Sequence, residues 1–220
     1  IGHNIFSPED AEKMLAEGNA DFVALGRSQL AEPAWAKKAK EGRASDIKPC
    51  INCLIGCIDR GMLSHTPIHC TVNPSLYRFE CKPVEKAETR KQVAVVGAGP
   101  AGCEAALTAS KRGHQVTIYE KRCIGGAMIE ASKPENKANI KRLIHYYEDH
   151  IMHDPNITLV KEEVEYETLV HSGYDAVIIA VGGKTRILNV PGIEKNSVIY
   201  ASDYLNGSTA VTGNTVVVIG

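Results

Sequence analysis

Two short apolar runs in the second half of the chain predict neighbouring strands of one sheet. Residues 92–96 and 115–119 are rich in β-branched side chains, and the alanine-rich residues 101–112 lie between them, followed by Gly113. Strand-like runs on both sides of a helical segment predict a βαβ unit and therefore a parallel sheet. The longer apolar run at 174–183 predicts a further buried parallel strand that ends in small residues.

Other patterns extend this arrangement towards the end of the chain. Residues 137–150 are amphipathic and predict a helix, while residues 159–164 and the stretch before Tyr174 predict strands with solvated charges. Residues 215–220 repeat the strand-then-glycine pattern of residues 93–97, as at the start of a second fold of the same kind. The second half is therefore predicted to be an α/β domain.

The beginning of the chain predicts two helices and one short strand. Ser7 is placed to cap a helix that Gly18 would end. Residues 21–25 predict a short buried strand that ends at a Gly26-Arg27 loop, and residues 33–41 predict a second helix. Two interpretations stay open. The segment is either a generic βα unit with a solvated arginine or a phosphate site after the last strands of a (β/α)8 barrel.

Composition narrows the class of protein. The chain has 220 residues, 44% of them apolar and 23% charged, as in a globular protein of about one and a half domains. A net charge of −1 gives no electrostatic footprint for nucleic acid, and the apolar runs are shorter than the roughly 20 residues of a membrane helix. The abrupt start at Ile1, without a signal peptide, and the equally abrupt end lead us to expect a piece of a longer cytoplasmic protein.

Four of the seven cysteines crowd into one short segment, which predicts a metal site rather than a disulfide framework. Their spacing is Cys50-x2-Cys53-x3-Cys57-x12-Cys70. At about 100° per residue, the first three thiolates would share one face of a helix-like turn. A clustered triplet with a remote fourth cysteine is typical of a cubane iron-sulfur site, with structural zinc and unligated thiols as the alternatives. Ordinary thiols are predicted at the other positions, Cys81, Cys103 and Cys123.

The run Gly97-Ala-Gly-Pro-Ala-Gly102 lies between the first predicted strand and its helix. In a dinucleotide-binding turn the first glycine permits the tight turn, the second (Gly99) lets the backbone approach a pyrophosphate, and the third packs the helix on the sheet. Glu120, after the second strand, would accept hydrogen bonds from ribose hydroxyls and repel a 2′-phosphate, which favours FAD or NAD over NADP. Gly125-Gly126 offers a second close backbone approach.

Taken together, these residues resemble a known group of enzymes. The patterns at 7–12, 21–27, the four clustered cysteines, 95–102, Gly125-Gly126 and 175–183 resemble the 2,4-dienoyl-CoA reductase, 2-enoate reductase and trimethylamine dehydrogenase group. These are the iron-sulfur flavoproteins of the old yellow enzyme superfamily. The resemblance implies three regions: the last strands and helices of a (β/α)8 FMN barrel (1–48), a [4Fe-4S] segment with a charged linker (49–90), and a Rossmann-like FAD-binding domain (91–220). The third region would end at the first strand of an NAD(P)H-binding domain.

The resemblance also assigns residues to each cofactor. The FMN phosphate would be held by Gly2, Gly26 and Arg27, and the cluster would be ligated by Cys50, Cys53, Cys57 and Cys70. The FAD would be lined by Gly97, Gly99, Pro100, Ala101, Gly102, Glu120, Gly125, Gly126, Val164 and Gly182. One departure is Val181, which stands where the group usually has threonine.

The implied reaction passes hydride from NAD(P)H to FAD and single electrons through the cluster to FMN, which reduces an activated C=C bond of a small-molecule enoate or dienoyl-CoA. We expect the present residues to be the relay, with no catalytic proton donor among them. An amine dehydrogenase of the same superfamily, passing electrons outward, and a zinc-stapled nucleotide-binding interaction module are the alternatives. Neither a nucleic-acid nor a membrane partner is expected, and an open sheet edge would favour a homo-oligomer.

Overall fold

The computed structural model describes residues 2, 4–76 and 84–219 of the chain. Short helices make up the first part: α1 (Pro8–Ala16), α2 (Arg27–Ala31), α3 (Trp35–Lys40), a 3-10 turn (Ala44–Asp46) and a π-helix (Ile55–Leu63). Helix α1 begins as predicted, because Ser7 Oγ accepts a hydrogen bond from the Asp10 N–H at 3.1 Å. Cys81, predicted to be an ordinary thiol, lies outside the described residues.

A four-stranded parallel sheet forms the second part of the chain, with the strand order β3-β2-β1-β4. The strands are β1 (Gln92–Val96), β2 (Gln115–Tyr119), β3 (Ile157–Val160) and β4 (Ala176–Ile179). Pairing places Val95 opposite Ile118 on one side and Ile178 on the other. The predicted βαβ unit is confirmed, and both of its strands have the predicted bounds.

Helices α4 (Pro100–Lys111) and α6 (Ala138–His153) pack against the sheet. The remaining helical elements are α5 (Met128–Ala131), a 3-10 turn (Glu135–Lys137), α7 (Tyr166–His171) and α8 (Ala201–Asn206). Between helices and sheet, the side chains of Val95, Ile118 and Cys103 are fully buried. Cys103 is therefore a packed thiol of the core. Among the described residues, no helix has both the length and the apolar character that crossing a bilayer requires.

The cysteine-rich segment shares this core. Ala31, Cys50 and Val72 belong to the same buried cluster as Val93 and Cys103. A second cluster, formed by Ile5, Ala11, Trp35 and Ile47, holds the first helices together. Because buried apolar contacts run between the cysteine segment and the sheet domain, the two parts have fixed relative positions.

The predicted strand at residues 21–25 is wrong in extent and in burial. Only Val23 pairs, in a single parallel bridge with Gly2, and the Phe22 side chain is 72% exposed. A barrel strand is buried because it has neighbours on both edges, and the described residues give this segment a partner on one edge only. The predicted Gly26-Arg27 loop leads directly into α2, a helix that the pattern did not indicate.

The strands predicted at 159–164 and before Tyr174 are also corrected. Strand β3 ends at Val160, and the stretch before Tyr174 contains helix α7. The cause is topological: β3 and β4 occupy opposite edges of one parallel sheet, so the chain between them must cross over the sheet. A helix is the usual crossover element between parallel strands.

Strand β4 is parallel, as predicted, but it is not buried. Val177 is 40% exposed and Ile179 is 65% exposed, because β4 is an edge strand paired with β1 alone. The strand predicted at 215–220 is wrong over its described part, since residues 215–219 belong to no strand. The described residues offer this segment no neighbouring strand, and extended chain is assigned as strand only where it pairs.

Candidate functional site

The turn between β1 and α4 is shaped by two glycines that have no room for a side chain. Gly97 has φ of +98°, and a Cβ there would lie 2.5 Å from the Ala180 carbonyl oxygen. A Cβ at Gly102 would overlap the Gly97 carbonyl oxygen and lie 3.3 Å from Ala180 Cβ. The backbone of α4 therefore rests directly on the turn and on the end of β4. The sequence pattern did not indicate that Ala180 takes part in this contact.

The N-terminus of α4 is open to a ligand. Gly99 is its N-cap residue and forms no side-chain cap, and Pro100 follows at the first helical position. The free N–H groups of a first helical turn, together with the helix dipole, attract an anion such as a pyrophosphate. The predicted residues Gly99, Pro100, Ala101 and Gly102 thus lie together at one helix terminus, and their contact with a pyrophosphate stays a prediction.

A second glycine loop faces this helix terminus. Gly126 has φ of +52°, and a Cβ on it would lie 2.9 Å from Gly99 Cα, so the two backbones meet without side chains between them. The Gly125 N–H donates to the Ala98 carbonyl at 2.8 Å, which fixes the loop against the turn. We call the surface formed by residues 97–102 and 125–126 the glycine cradle.

Glu120 closes one end of the glycine cradle. Its Oε2 accepts a hydrogen bond from the Ala98 N–H at 2.8 Å, and its Oε1 accepts one from the Arg122 N–H at 2.7 Å. A carboxylate has about four acceptor positions, so both oxygens keep capacity for ribose hydroxyls. The carboxylate therefore has a structural role as well as the predicted binding role.

The last two predicted FAD residues are less closely tied to the cradle. Val164 is half-buried in the connection between β3 and α7, and Gly182 follows β4 with φ of +75° and open space where a Cβ would be. Their roles at a nucleotide stay predictions.

The four clustered cysteines line a single cavity. Cys50, Cys53, Cys57 and Cys70 line a small cavity of about 20 Å³ that is partly open to solvent, and no carboxylate is among its lining residues. The structure therefore brings together the predicted ligand set, and a set of four thiols fits an iron-sulfur cluster in its chemistry. Among the described residues, no three His, Cys, Asp or Glu side chains are grouped closely enough to hold a single metal ion.

The backbone of this cysteine pocket is not the helix-like turn that the spacing predicts. Asn52 and Leu54 have positive φ of 55° and 62°, so the chain reverses locally twice before the π-helix that carries Cys57. Cys50, Cys53 and Cys57 therefore do not lie along one face of a regular helix. Gly56 packs against His69, since a Cβ there would lie 2.6 Å from His69 Nδ1.

Two hydrogen-bond donors face the thiols of the pocket. Thr71 Oγ1 lies 3.2 Å from Cys53 Sγ, and the Asn52 N–H donates to Cys50 Sγ at 3.4 Å. Burial raises the pKa of the Cys50 thiol, while the Asn52 N–H and the charge of Arg27 act in the opposite direction. Neither Thr71 nor Asn52 was recognised from the sequence, because hydroxyl and amide residues near cysteines carry no pattern of their own.

Arg27 lies at the edge of the cysteine pocket. Its guanidinium donates to the amide oxygens of Asn52 and Asn4 and stands 5.5 Å from the centre of the Phe6 ring. The predicted partners Gly2 and Gly26 are close in the fold, since Gly2 bridges to Val23 and Gly26 caps helix α2. The predicted contact of these three residues with an FMN phosphate stays a prediction.

An ion pair joins the cysteine segment to the helix of the glycine cradle. Lys48 Nζ lies 2.7 Å and 3.0 Å from the two carboxylate oxygens of Glu104, and the Tyr147 hydroxyl donates to the same carboxylate at 3.1 Å. Burial and the neighbouring Glu104 charge raise the pKa of Tyr147. Lys48 is two residues from Cys50, and Glu104 lies in α4 just after the glycine turn. The ion pair therefore links the cysteine pocket to the glycine cradle.

Comparison with known proteins agrees with this geometry. Residues 91–220 match the family model of the pyridine nucleotide-disulphide oxidoreductases. The chain is 42% identical over 98% of its length to an NADH oxidase of Thermoanaerobacter brockii and 32% identical over 97% to a cinnamate reductase of Clostridium sporogenes. It covers 34% and 32% of these relatives, about a third of their length.

A solved structure extends the likeness to the fold. A 2-naphthoyl-CoA reductase in complex with 2-naphthoyl-CoA is 34% identical and superposes with a TM-score of 0.85 over 92% of this chain and 31% of that one. The resemblance deduced from the sequence is therefore confirmed. The chain belongs to the pyridine nucleotide-disulphide oxidoreductase family, whose domain binds FAD and NAD(P)H, and its relatives place it in the old yellow enzyme and 2,4-dienoyl-CoA reductase group.

Proposed function

We propose that this chain is the electron-relay part of an NAD(P)H-dependent flavin and iron-sulfur oxidoreductase that acts on an activated C=C bond. The proposed order of carriers is NAD(P)H, FAD, [4Fe-4S] and FMN, and the proposed substrates are small molecules of the enoate or dienoyl-CoA type. The single observation that carries the proposal is the fixed placement of a four-thiol pocket beside an anion-binding glycine cradle, joined through Lys48 and Glu104.

The glycine cradle fits a dinucleotide. The N–H groups at the start of α4 would face the pyrophosphate, which could approach the backbone of Gly99 closely because that residue has no side chain. Glu120 would accept a hydrogen bond from a ribose hydroxyl. Its carboxylate would at the same time keep the hydrogen bond from the Ala98 N–H that holds the turn. A bound flavin exchanges both hydride and single electrons, which is the conversion that the relay needs.

The cysteine pocket fits a four-iron cluster through its donor set. Cys50, Cys53, Cys57 and Cys70 would provide one thiolate to each iron. The chain contributes the positions of these thiolates, through the left-handed residues between them and through burial of Cys50 in the shared core. The six described cysteines are free thiols, as expected in a reducing compartment, and we place the protein in the cytoplasm on that ground.

The regions on either side of the relay belong to the proposal as well. We propose that residues 1–48 are the end of a (β/α)8 FMN barrel and that residues 49–90 are the cluster segment and linker. Gly2, Gly26 and Arg27 are the residues of this segment that we propose for the FMN phosphate. The edge strand β4 and its exposed apolar residues favour a homo-oligomer.

Anaerobic purification followed by cofactor analysis tests this function. In the intact enzyme, which would also contain the NAD(P)H-binding domain, we expect about four irons and four acid-labile sulfides per protein, both FAD and FMN among the released flavins, and bleaching of the visible spectrum on addition of NADH or NADPH. One zinc in place of iron and sulfide would refute the relay. FMN together with ADP, without FAD, would instead indicate an amine dehydrogenase that passes electrons outward.

A further inference from the structure

One hydroxyl group in the cysteine pocket, that of Thr71, lies close to the sulfur of a proposed cluster ligand. Thr71 directly follows Cys70, and its Oγ1 lies 3.2 Å from the sulfur of Cys53, a residue 18 positions away in sequence. Thr71 is also among the residues that line the cavity. The hydroxyl therefore lies within hydrogen-bond distance of a proposed cluster ligand.

The direction of this hydrogen bond follows from the state of the sulfur. As a free thiol, Cys53 could donate to Thr71 or accept from it. As a metal ligand it is a thiolate and has no proton, so the threonine hydroxyl has to donate. The other close partners are the Asn52 N–H at Cys50 and the Leu54 carbonyl oxygen, 3.9 Å from Cys57 Sγ. Of these three contacts, only the one made by Thr71 uses a side chain that substitution can remove.

We propose that Thr71 raises the reduction potential of the cluster by donating a hydrogen bond to the Cys53 thiolate. This inference rests on the proposed function, since it requires an iron-sulfur cluster in the pocket. An added electron increases the negative charge that the sulfurs share, and a hydrogen-bond donor stabilises that charge more than it stabilises the oxidised state. Loss of the hydroxyl therefore makes the cluster harder to reduce.

Three substitutions at this position separate the hydrogen bond from packing. Thr71→Val keeps the shape and places a methyl group where the hydroxyl stands, so that no water can take over the donor role. Thr71→Ser keeps the hydroxyl and removes the methyl group. Thr71→Ala removes both and leaves space from which a water can donate to the sulfur.

The test is a reductive titration of the anaerobically prepared protein, followed by electron paramagnetic resonance, with iron and sulfide measured in each variant. At the wild-type midpoint, we expect Thr71→Val to lower the ratio of reduced to oxidised cluster about three- to tenfold, a tenfold change being about 59 mV for a one-electron couple. Thr71→Ser should match the wild type, and Thr71→Ala should lie between them.

Other results would overturn the proposal. Equal midpoints in wild type and Thr71→Val, with full iron content in both, would show that the hydroxyl does not set the potential. Equal shifts in the Val and Ser variants would show that packing is the cause. Loss of iron in Thr71→Val alone would assign the residue a role in holding the cluster. A wild-type protein without iron and sulfide would refute the proposed function itself, which distinguishes the two failures.

Discussion

Substitution of Gly102 by alanine is the most direct test of the glycine cradle. The new Cβ would overlap the Gly97 carbonyl oxygen, lie 3.0 Å from the Gly97 carbonyl carbon and approach Ala180 Cβ to 3.3 Å. Two of these neighbours are backbone atoms of a turn that is held by a hydrogen bond from the Gly97 N–H to the Tyr119 carbonyl at 2.8 Å. The strain can be relieved only if the start of α4 moves away from the turn.

The size of the effect follows from the cost of overpacking. An inserted methyl group in a close-packed site costs about 1–3 kcal/mol. For a chain of this size, each kcal/mol lowers the midpoint of thermal unfolding by about 2–4 °C, so we expect a loss of about 2–12 °C. Where the helix start shifts instead, the same free energy weakens FAD binding about 5- to 150-fold. The loss of stability and the loss of FAD affinity both come from the strain of the new Cβ. Their free energies should therefore together equal the cost of that strain.

The assay is thermal unfolding of the apoprotein combined with titration of FAD, followed through quenching of flavin fluorescence. Gly213→Ala is the matched control, because a Cβ at Gly213 makes only an ordinary contact, 3.7 Å from the Thr215 carbonyl oxygen. Unchanged stability and unchanged FAD affinity in Gly102→Ala would refute the close approach of α4 to the turn. Equal losses in both glycine variants would show that the effect is not specific to the cradle.

Three further substitutions test the contacts around the cradle. Glu120→Gln should lower the unfolding midpoint and weaken FAD binding about tenfold or more in titration, because an amide cannot accept from two backbone N–H groups and the ribose as a carboxylate does. Lys48→Met should lower the free energy of unfolding in urea by about 1–3 kcal/mol, since it leaves the half-buried Glu104 carboxylate without its cation. Tyr174→Phe should reduce the loss of stability between pH 10 and 12, because a hydrogen bond with Tyr174 raises the pKa of Tyr119 to about 12.

The expectations for Lys48 and Tyr174 each have a control or a sign that can contradict them. Lys121→Met breaks the exposed pair with Glu163 and should change stability much less than Lys48→Met does, so an equal effect of the two variants would contradict the coupling argument. For Tyr119, the folded state keeps its proton above pH 10 where the unfolded state loses it. Stability is therefore complete below pH 10 and falls as the pH rises towards 12. A wild-type stability that rises over this range would refute the hydrogen bond.

The βαβ unit could be predicted from the sequence because each of its features has a local cause. Strands β1 and β2 follow from their β-branched residues, and the glycines of the turn follow from steric requirements of the backbone. Such requirements act between residues close in sequence, so a single sequence contains them. The helix α7 had no comparable local signal, because it is determined by the position of β3 and β4 in the finished sheet.

The cysteine pocket was predictable in its residues and not in its geometry. The spacing of the four cysteines limits them to one site, but the backbone between them has positive φ at Asn52 and Leu54, and leucine, unlike asparagine, rarely adopts that conformation. The Lys48–Glu104 contact joins residues 56 positions apart and has no sequence signal at all. Contacts of this kind depend on the packing of whole segments.

Arg27 illustrates why one sequence can support two roles for the same side chain. Gly26 and the strand-like residues before it favour a phosphate-binding loop. In the fold, however, the guanidinium donates a hydrogen bond to the amide oxygen of Asn52, a residue that lies in sequence between two cysteines of the pocket. A guanidinium has five N–H donors, and the contacts with Asn4 and Asn52 use only part of them. One arginine can therefore hold the cysteine loop and keep donors for an anion. The two roles are compatible, which is why the residue type alone does not decide between them.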